Sequence, residues 1–278
     1  MSQGRQESSS FEDTAESISL QSVVVIPARF ASTRLPRKML LRDTGKSLIR
    51  HTYEAASRAR RPSAVVVATD HADIAAEVES FGGTVVMTSP DCQSGTDRVA
   101  EVARRLTQAD LFVNVQGDEP EISADAIDRL IDMMEQAPTG GMATLCTPIR
   151  TPEQLAAPAC VKVVFDSRGR ALYFSRSPIP FVRDAVPAAR GLASAPFNQP
   201  PRHFQHLGLY AYRRDVLLNF AALPPSTLEQ AEKLEQLRLL QAGGEILIDV
   251  IQHAATGIDT PEDYAAFVAR CRQLPLAA

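Results

Sequence analysis

The sequence predicts an α/β fold with a mostly parallel central sheet and helices on both faces, and two observations carry that expectation. Valine-rich apolar runs without a polar side, at Val23 to Ile26, Ala64 to Ala68, Thr84 to Met87 and Leu111 to Val115, suit strands covered on both faces. Helical periodicity follows at about Ser47 to Arg60, Asp73 to Ser80, Thr96 to Leu106 and Ser123 to Met134, so the first half of the chain reads as repeated βαβ units.

Met142 to Thr147 reads as a further strand. After it, Thr151 with Gln154 forms a capping box and Pro152 fits the first helical position, which predicts a short helix. Val161 to Phe165 and Ala171 to Phe174 flank Asp-Ser-Arg-Gly-Arg, the pattern of a hairpin. Pro178 to Pro201 is rich in Pro and Ala without periodicity and is expected to be an irregular excursion. Leu207 to Tyr212 predicts a returning strand. Leu228 to Leu240, with Leu228, Ala231, Leu234 and Leu237 at helical spacing, predicts one amphipathic helix. Ile246 to Ile251 is a late strand, and Thr260-Pro261-Glu262-Asp263 caps a last helix.

The 278 residues are 45% hydrophobic, enough for a large core in one or two domains. Residues 1 to 22 are polar and are expected to form a disordered N-terminal extension; residues 23 to 272 are read as one domain with a smaller β-containing excursion at about 160 to 205. A net charge of -4 gives no general attraction to nucleic acid or anionic membrane, and no apolar run is long enough to span a bilayer. The four cysteines, Cys92, Cys146, Cys160 and Cys271, lack metal-ligand spacing and suit reduced thiols in a cytoplasmic protein.

Chemistry concentrates at strand ends. Arg29, Arg34, Arg37 and Lys38 follow the first strand and are expected to face one small volume, a cradle for a multiply charged phosphate ligand. The same charges are also stable as a solvated turn. Neither the Gly-x-x-x-x-Gly-Lys phosphate loop nor the dinucleotide Gly-x-Gly-x-x-Gly is present, which counts against ATPase and dehydrogenase chemistry. Asp118 lies in the polar turn Gln116-Gly117-Asp118-Glu119-Pro120 that ends the apolar strand from Leu111, and Asp259 tips the turn before the last helix; together they suit a hard cation such as Mg2+, or alternatively brace turns. Gln93 to Arg98 precedes a helix and suits either a ribose or base edge or a simple cap, with Gln116 and Arg98 as candidate nucleobase or ribose contacts.

Taken in order, PARFASTRLPRKML at 27 to 40, ATDH at 68 to 71, QSGTDRVAEV at 93 to 102, NVQGDEP at 114 to 120, VKVV at 161 to 164, LYFSR at 172 to 176, RHFQHLGLYAYR at 202 to 213, LEQLR at 234 to 238 and GIDTPED at 257 to 263 closely resemble the 3-deoxy-manno-octulosonate cytidylyltransferases. That resemblance spans about residues 22 to 270. It implies a Rossmann-like nucleotidyltransferase fold, and a homodimer whose excursion serves sugar binding and dimerisation. The implied reaction takes CTP and 3-deoxy-manno-octulosonate to the CMP-sugar and pyrophosphate for lipopolysaccharide synthesis.

The resemblance also implies roles for particular residues. Arg29, Ser32, Arg34 and Lys38 would contact the nucleotide phosphates, Gln116 and Arg98 the cytidine side, and Asp118 and Asp259 would hold Mg2+. Arg176, His206, Tyr210, Glu235 and Gln236 would contact the sugar acid, with the catalytic set being Arg29, Arg34, Lys38, Asp118 and Asp259. A related acidic sugar as acceptor, or a non-catalytic nucleotide- or sugar-binding regulator on the same fold, are the alternatives. This chain departs from the family's RLPGKPL, carrying Arg37 for glycine and Met39 for proline. An arginine there is expected either to grip the triphosphate or to strain the loop. The stretch Pro187 to Pro201 is also longer and richer in proline than the family pattern.

Overall fold

Four valine-rich strands lie side by side because their side chains are apolar on both faces and both faces are covered. The computed structural model describes residues 21–32, 34–183, 197–252 and 255–273. Residues 1–20 of the expected N-terminal extension and most of the stretch Pro187 to Pro201 lie outside the described residues; the extension's last residue, Ser22, instead opens the first strand. The strands are β1 (Ser22–Ala28), β2 (Ala64–Thr69), β3 (Thr84–Met87), β4 (Leu111–Asn114), β5 (Met142–Pro148), β6 (Lys162–Phe165), β7 (Ala171–Ser175), β8 (Phe204–Arg213) and β9 (Ile246–Val250). The sheet runs β3-β2-β1-β4-β8-β5-β9, with β6 pairing to β8 and β7 to β6.

β1 is parallel to both β2 and β4, β2 to β3, and β5 to β9, whereas β8 runs antiparallel to β4 and β5. The expected mostly parallel sheet is therefore mixed, with β8 inserted against the direction of its neighbours. The chain leaves β1 toward β2 and β3 and then returns to build β4 on β1's other edge. That reversal opens a crevice at the carboxyl ends of β1 and β4, where open α/β sheets bind ligands.

Helices cover both faces, as their spacing demands. α1 (Leu48–Ala56), α2 (Ala72–Ser80) and α4 (Ala124–Gln136) bury Ile49, Ile74, Val78, Ile127, Leu130 and Met134 against Val24, Ile26, Val67 and Val113. On the other face α3 (Gly95–Arg105) packs Val99 and Val102 among Val23, Val25 and Phe112. α5 (Pro152–Ala156) is the short capped helix, with the Thr151 hydroxyl accepting from the Gln154 amide. α9 (Pro261–Gln273) buries Tyr264, Phe267 and Val268 with Ile258 and Leu48, which draws the C-terminal turn over the start of α1. All four cysteines are free thiols.

Two elements differ from expectation. The helix expected over Leu228 to Leu240 is two, α7 (Thr227–Glu232) and α8 (Gln236–Gln241), broken where Lys233 takes φ 54. The reason is tertiary: the Glu232 and Lys233 carbonyls turn out of the helix to accept from the Arg176 guanidinium, and of the spaced apolar residues only Leu234 and Leu237 are buried in the core. Between β8 and α7 lies α6 (Arg214–Ala222), absent from the sequence reading; it buries only Leu217 and Phe220, too little for a periodic signal.

The hairpin β6–β7 is as expected, paired from Lys162↔Ser175 to Phe165↔Ala171. Its first residue is unusual. Lys162 is fully buried, and its ammonium donates to the carbonyls of Ala157 at 2.9 Å, Cys160 at 2.8 Å and Arg176 at 2.6 Å. Burial lowers its pKa, and no carboxylate hydrogen-bonds to it among the described residues.

Candidate functional site

The two loops at the carboxyl ends of β1 and β4 are adjacent because the strands are, in the register Val25↔Asn114. Gly117 makes the approach closer still. A Cβ there would lie 2.9 Å from the Pro27 carbonyl oxygen and 3.2 Å from the Met39 sulfur, so only glycine lets the β4 loop rest on β1. The close approach that Gly117 permits is thus to the protein's own backbone. Met39, the residue in the family's proline position, is buried and fills the space beside it.

Into this junction the chain brings its third segment. The Ile258 amide donates to the Asp118 carbonyl at 2.9 Å, pinning the turn before α9 to the β4 loop. The turn itself is held by Asp263, whose carboxylate accepts from the Asp259 and Thr260 amides at 3.1 and 2.9 Å while the Thr260 hydroxyl accepts from the Asp263 amide. Asp118 and Asp259, 141 positions apart in sequence, consequently share one cation. The Lys38 ammonium lies 2.6 Å from Asp118 Oδ2, 3.3 Å from Asp259 Oδ1 and 2.7 Å from the Ile258 carbonyl oxygen. Arg34 adds a second contact to Asp259 at 3.0 Å.

Not every basic residue joins them. Arg29 is exposed just past β1 and forms no ion pair with another of the described residues. Ser32 is half-buried and accepts from the Leu35 amide at 3.4 Å, bracing the loop. Arg37 departs from the expected four-sided cradle. It takes the left-handed conformation that glycine favours, φ 54, and its guanidinium turns to Asp73 at 3.4 Å and over the Phe30 ring at 5.3 Å. Phe30 in turn stacks on His71 with centroids 3.6 Å apart. Arg37 therefore ties the loop to the start of α2 rather than facing the carboxylates.

That ion pair is exposed on both sides, so its contribution is small. Arg37→Gly is expected to change the KM for CTP by less than about twofold, since neither its charge nor its exposed pair reaches the junction. Steady-state kinetics at varied CTP check this.

Arg98 is buried. Its side chain is 1% exposed and pairs with Asp70 at 3.0 Å and with the Thr88 hydroxyl, residues just past the carboxyl ends of β2 and β3. Burial selects the ion pair because an unpaired guanidinium there would be far costlier. Ser94 caps α3 in a box with Asp97, the plain structural alternative for that segment. Gln116 stays at the crevice, half-buried, with its amide donating weakly to the Gly208 carbonyl at 3.4 Å. Beside it Glu119 is pushed up to about 8 by burial, and further by the Asp118 charge, so at neutral pH it is mostly protonated.

The residues tied to the sugar acid meet on the other side of β8. His206 Nε2 lies 3.1 Å from the Thr144 hydroxyl, with the ring edge-on to Phe174 and 5.3 Å from Tyr210. Glu235 accepts from Ser94 at 3.1 Å and Thr96 at 2.7 Å, and burial raises its pKa. Gln236 follows it at the first position of α8, so the two side chains leave the helix about 100° apart. The Gln236 amide nitrogen and the Asn114 carboxamide oxygen are buried without a partner among the described residues. Asn114 is directly across from Tyr210 in the sheet. Asn114 and Thr144 escaped the sequence reading; the available signal was a polar residue interrupting an apolar strand.

Arg176 is committed elsewhere. Its guanidinium donates to the carbonyls of Glu232 at 2.6 Å, Pro158 at 3.0 Å and Lys233 at 3.2 Å, so it is a brace for the turn before Glu235 in this arrangement.

Burial, the only cause acting on it, holds the His206 imidazole down at about 3, so it is neutral at physiological pH. Its stability contribution is complete above the unfolded value near 6.5 and is lost as pH falls toward 3, because only the unfolded chain takes up the proton in that window. Melting temperatures measured from pH 7 to 4 should fall more steeply for the wild type than for His206→Gln. Equal slopes would mean that the ring is protonated in the fold.

Similarity to known proteins agrees with this geometry. Residues 23–247 match the cytidylyltransferase family. A 3-deoxy-manno-octulosonate cytidylyltransferase of Rhodopirellula baltica is 48% identical over 252 residues, covering 90% of this chain and 98% of its own. One of Geobacter sulfurreducens is 50% identical over 239 residues, covering 86% and 94%. A solved structure of CMP:2-keto-3-deoxy-manno-octonic acid synthetase complexed with CTP superposes with TM-score 0.83 at 43% identity, over 91% of this chain and 99% of that one. With a sheet, crevice and sequence shared over nearly their whole length, this chain belongs to the cytidylyltransferase family and, within it, to the 3-deoxy-manno-octulosonate cytidylyltransferases.

Proposed function

We propose that this protein transfers CMP from CTP to 3-deoxy-manno-octulosonate, releasing pyrophosphate. The observation that carries the reading is the meeting of Arg34 and Lys38 with Asp118 and Asp259 at the crevice between β1 and β4, in a chain similar to such enzymes over 90% of its length. The reaction needs an anionic acceptor to approach a polyanion, so opposed charges must be held in one place before either substrate arrives.

Each side of the crevice has its task. Arg34 and Lys38 bind the β and γ phosphates and take up the charge that grows on departing pyrophosphate, with Arg29 exposed at the same strand end. Gln116 faces the nucleoside. Across β8, the neutral His206 with Tyr210, Glu235 and Gln236 offers donors and acceptors that orient the ring hydroxyls of the sugar acid. The anomeric hydroxyl attacks the α-phosphorus in line with the leaving pyrophosphate, without a covalent enzyme intermediate.

Asp118 and Asp259 suit Mg2+. Two carboxylates and the Ile258 carbonyl already surround a cation, the Lys38 ammonium, and they are the all-oxygen donors a hard ion prefers. In this reading two carboxylates hold the ion, and phosphate oxygens and water complete its shell. When bound, it would neutralise charge between nucleophile and phosphate and acidify the attacking hydroxyl.

Pyrophosphate release measured with all four nucleoside triphosphates and a panel of sugar acids tests the reading. CTP with 3-deoxy-manno-octulosonate should give the highest kcat/KM; a higher value with another acid would reassign the acceptor, and no release with any pair would leave only binding. For assembly, the reading includes a homodimer using the excursion, supported by the exposure of Leu172 at 61% and Phe181 at 87% there. Among the described residues no helix is long and apolar enough to cross a membrane, and the reading places the enzyme in the cytoplasm with no nucleic-acid partner.

A further inference from the structure

We propose that Lys38 is an internal counter-ion that excludes a divalent cation from Asp118 and Asp259 until a triphosphate draws its ammonium away. The inference rests on the reading of those aspartates given above. It adds an order of assembly to it.

The geometry makes the competition direct. An ammonium has three hydrogens, and Lys38 Nζ has three acceptors: Asp118 Oδ2 at 2.6 Å, the Ile258 carbonyl at 2.7 Å and Asp259 Oδ1 at 3.3 Å. These are the oxygens a hard cation would take. A metal ion bonded to the same Asp118 oxygen would stand within a few ångströms of a second positive charge, in a place where the lysine side chain is only 8% exposed and screening is weak. The two cannot share those oxygens at those distances.

The local charge balance favours the same order. Arg34 and Lys38 balance Asp118 and Asp259, with the Asp263 carboxylate on the far side of Arg34. A divalent cation entering alone would turn the cluster positive. A triphosphate offers new acceptors and negative charge together, and lysine, with a flexible stem, is the cation able to swing between two anions. Its backbone need not move. Lys38 opens a single 3-10 turn, Lys38–Leu40, that is anchored by buried Met39 beside Gly117. Arg34, 64% exposed, can stay on Asp259 while the lysine leaves.

The consequence is a cation site assembled by the nucleotide. Metal without nucleotide binds weakly, so the acceptor hydroxyl is not activated before CTP is in place. Lys38 thereby acts as a positioning residue for the cation as well as a phosphate ligand.

Mn2+ is the probe, with the free ion measured by electron paramagnetic resonance on the full chain without nucleotide. Lys38→Met, which keeps length and removes the charge, should bind Mn2+ at least about tenfold more tightly than the wild type, a gain of roughly 1.4 kcal/mol. Adding Asp118→Asn to it should abolish that gain. A thermal melt confirms that each variant folds; if Lys38→Met does not, Lys38→Gln replaces it.

Affinity in the Lys38 variant no tighter than in the wild type would overturn the proposal. So would a gain that survives Asp118→Asn, since the ion would then sit elsewhere. The metal reading is judged separately. If pyrophosphate release by the wild type requires Mg2+ and Asp118→Asn raises the Mg2+ concentration needed, the aspartates hold the ion even where exclusion by Lys38 has failed; release independent of any divalent cation removes both.

Discussion

Asp118→Asn is expected to lower the rate of pyrophosphate release from CTP and 3-deoxy-manno-octulosonate by about 10²-fold or more, about 2.7 kcal/mol of barrier. The asparagine has nearly the same shape and keeps one carbonyl oxygen. What it loses is charge, at the position where Lys38 stands 2.6 Å away and where one of two carboxylates is offered to a cation. The turn that carries Asp259 is held directly by the Asp118 backbone carbonyl and by its side chain only through Lys38, so the substitution keeps the direct bond between the loops. Some fall in melting temperature is expected as well, because the buried Lys38 ammonium loses a charged partner, so the signature is a loss of turnover measured at a temperature where the variant is fully folded. Near-normal turnover at limiting Mg2+ would take Asp118 out of the mechanism.

Lys162→Met is expected to be the most destabilising single change outside the crevice, by roughly 3 kcal/mol or more, since each buried acceptor left without a donor costs about 1–3 kcal/mol. Removing the buried ammonium recovers part of its desolvation cost. The carbonyls of Ala157, Cys160 and Arg176 nonetheless lose their shared donor, and methionine offers none. Those carbonyls lie at the turn before β6 and just past β7, next to the Arg176 brace on Glu232 and Lys233. The damage should therefore spread to the turn that presents Glu235 and Gln236. Urea unfolding measures the loss, and the KM for the sugar acid should rise while that for CTP changes little. A variant as stable as the wild type would show that water replaces the ammonium.

Much of this was legible in the residues. Valine runs announced β1 to β4, and the hydroxyl-proline-carboxylate order at Thr260, Pro261 and Asp263 announced the start of α9, with the cap formed as read. Asp118 and Asp259 could be singled out because each ends an apolar stretch in a tight turn, and they do converge on one group. Local periodicity misled where tertiary bonds outweighed it. Leu228 keeps helical spacing with Leu234 yet is exposed, because Arg176 captures the carbonyls at Glu232 and Lys233 and the helix breaks there.

Charge type was legible, and charge direction was not. Arg29, Arg34, Arg37 and Lys38 look alike in a list of basic residues. In the fold Lys38 is buried between carboxylates, Arg34 reaches one of them, Arg37 turns to Asp73, and Arg29 stands free of ion pairs among the described residues. Arg98 carried the same ambiguity at the opening of α3, and in the fold its guanidinium pairs with Asp70.

By itself the sequence determined the α/β class, the strand ends that bear chemistry and the family, because apolar period, turn residues and short unusual peptides are local properties of the chain. Only the tertiary structure decided that β8 runs against its neighbours, that Lys233 breaks a helix, and which of the basic side chains meets Asp118 and Asp259. The physical reason is that the direction of a long charged side chain is set by partners distant in sequence, and the cost of burying it unpaired, several kcal/mol, outweighs local preferences of about 1 kcal/mol or less.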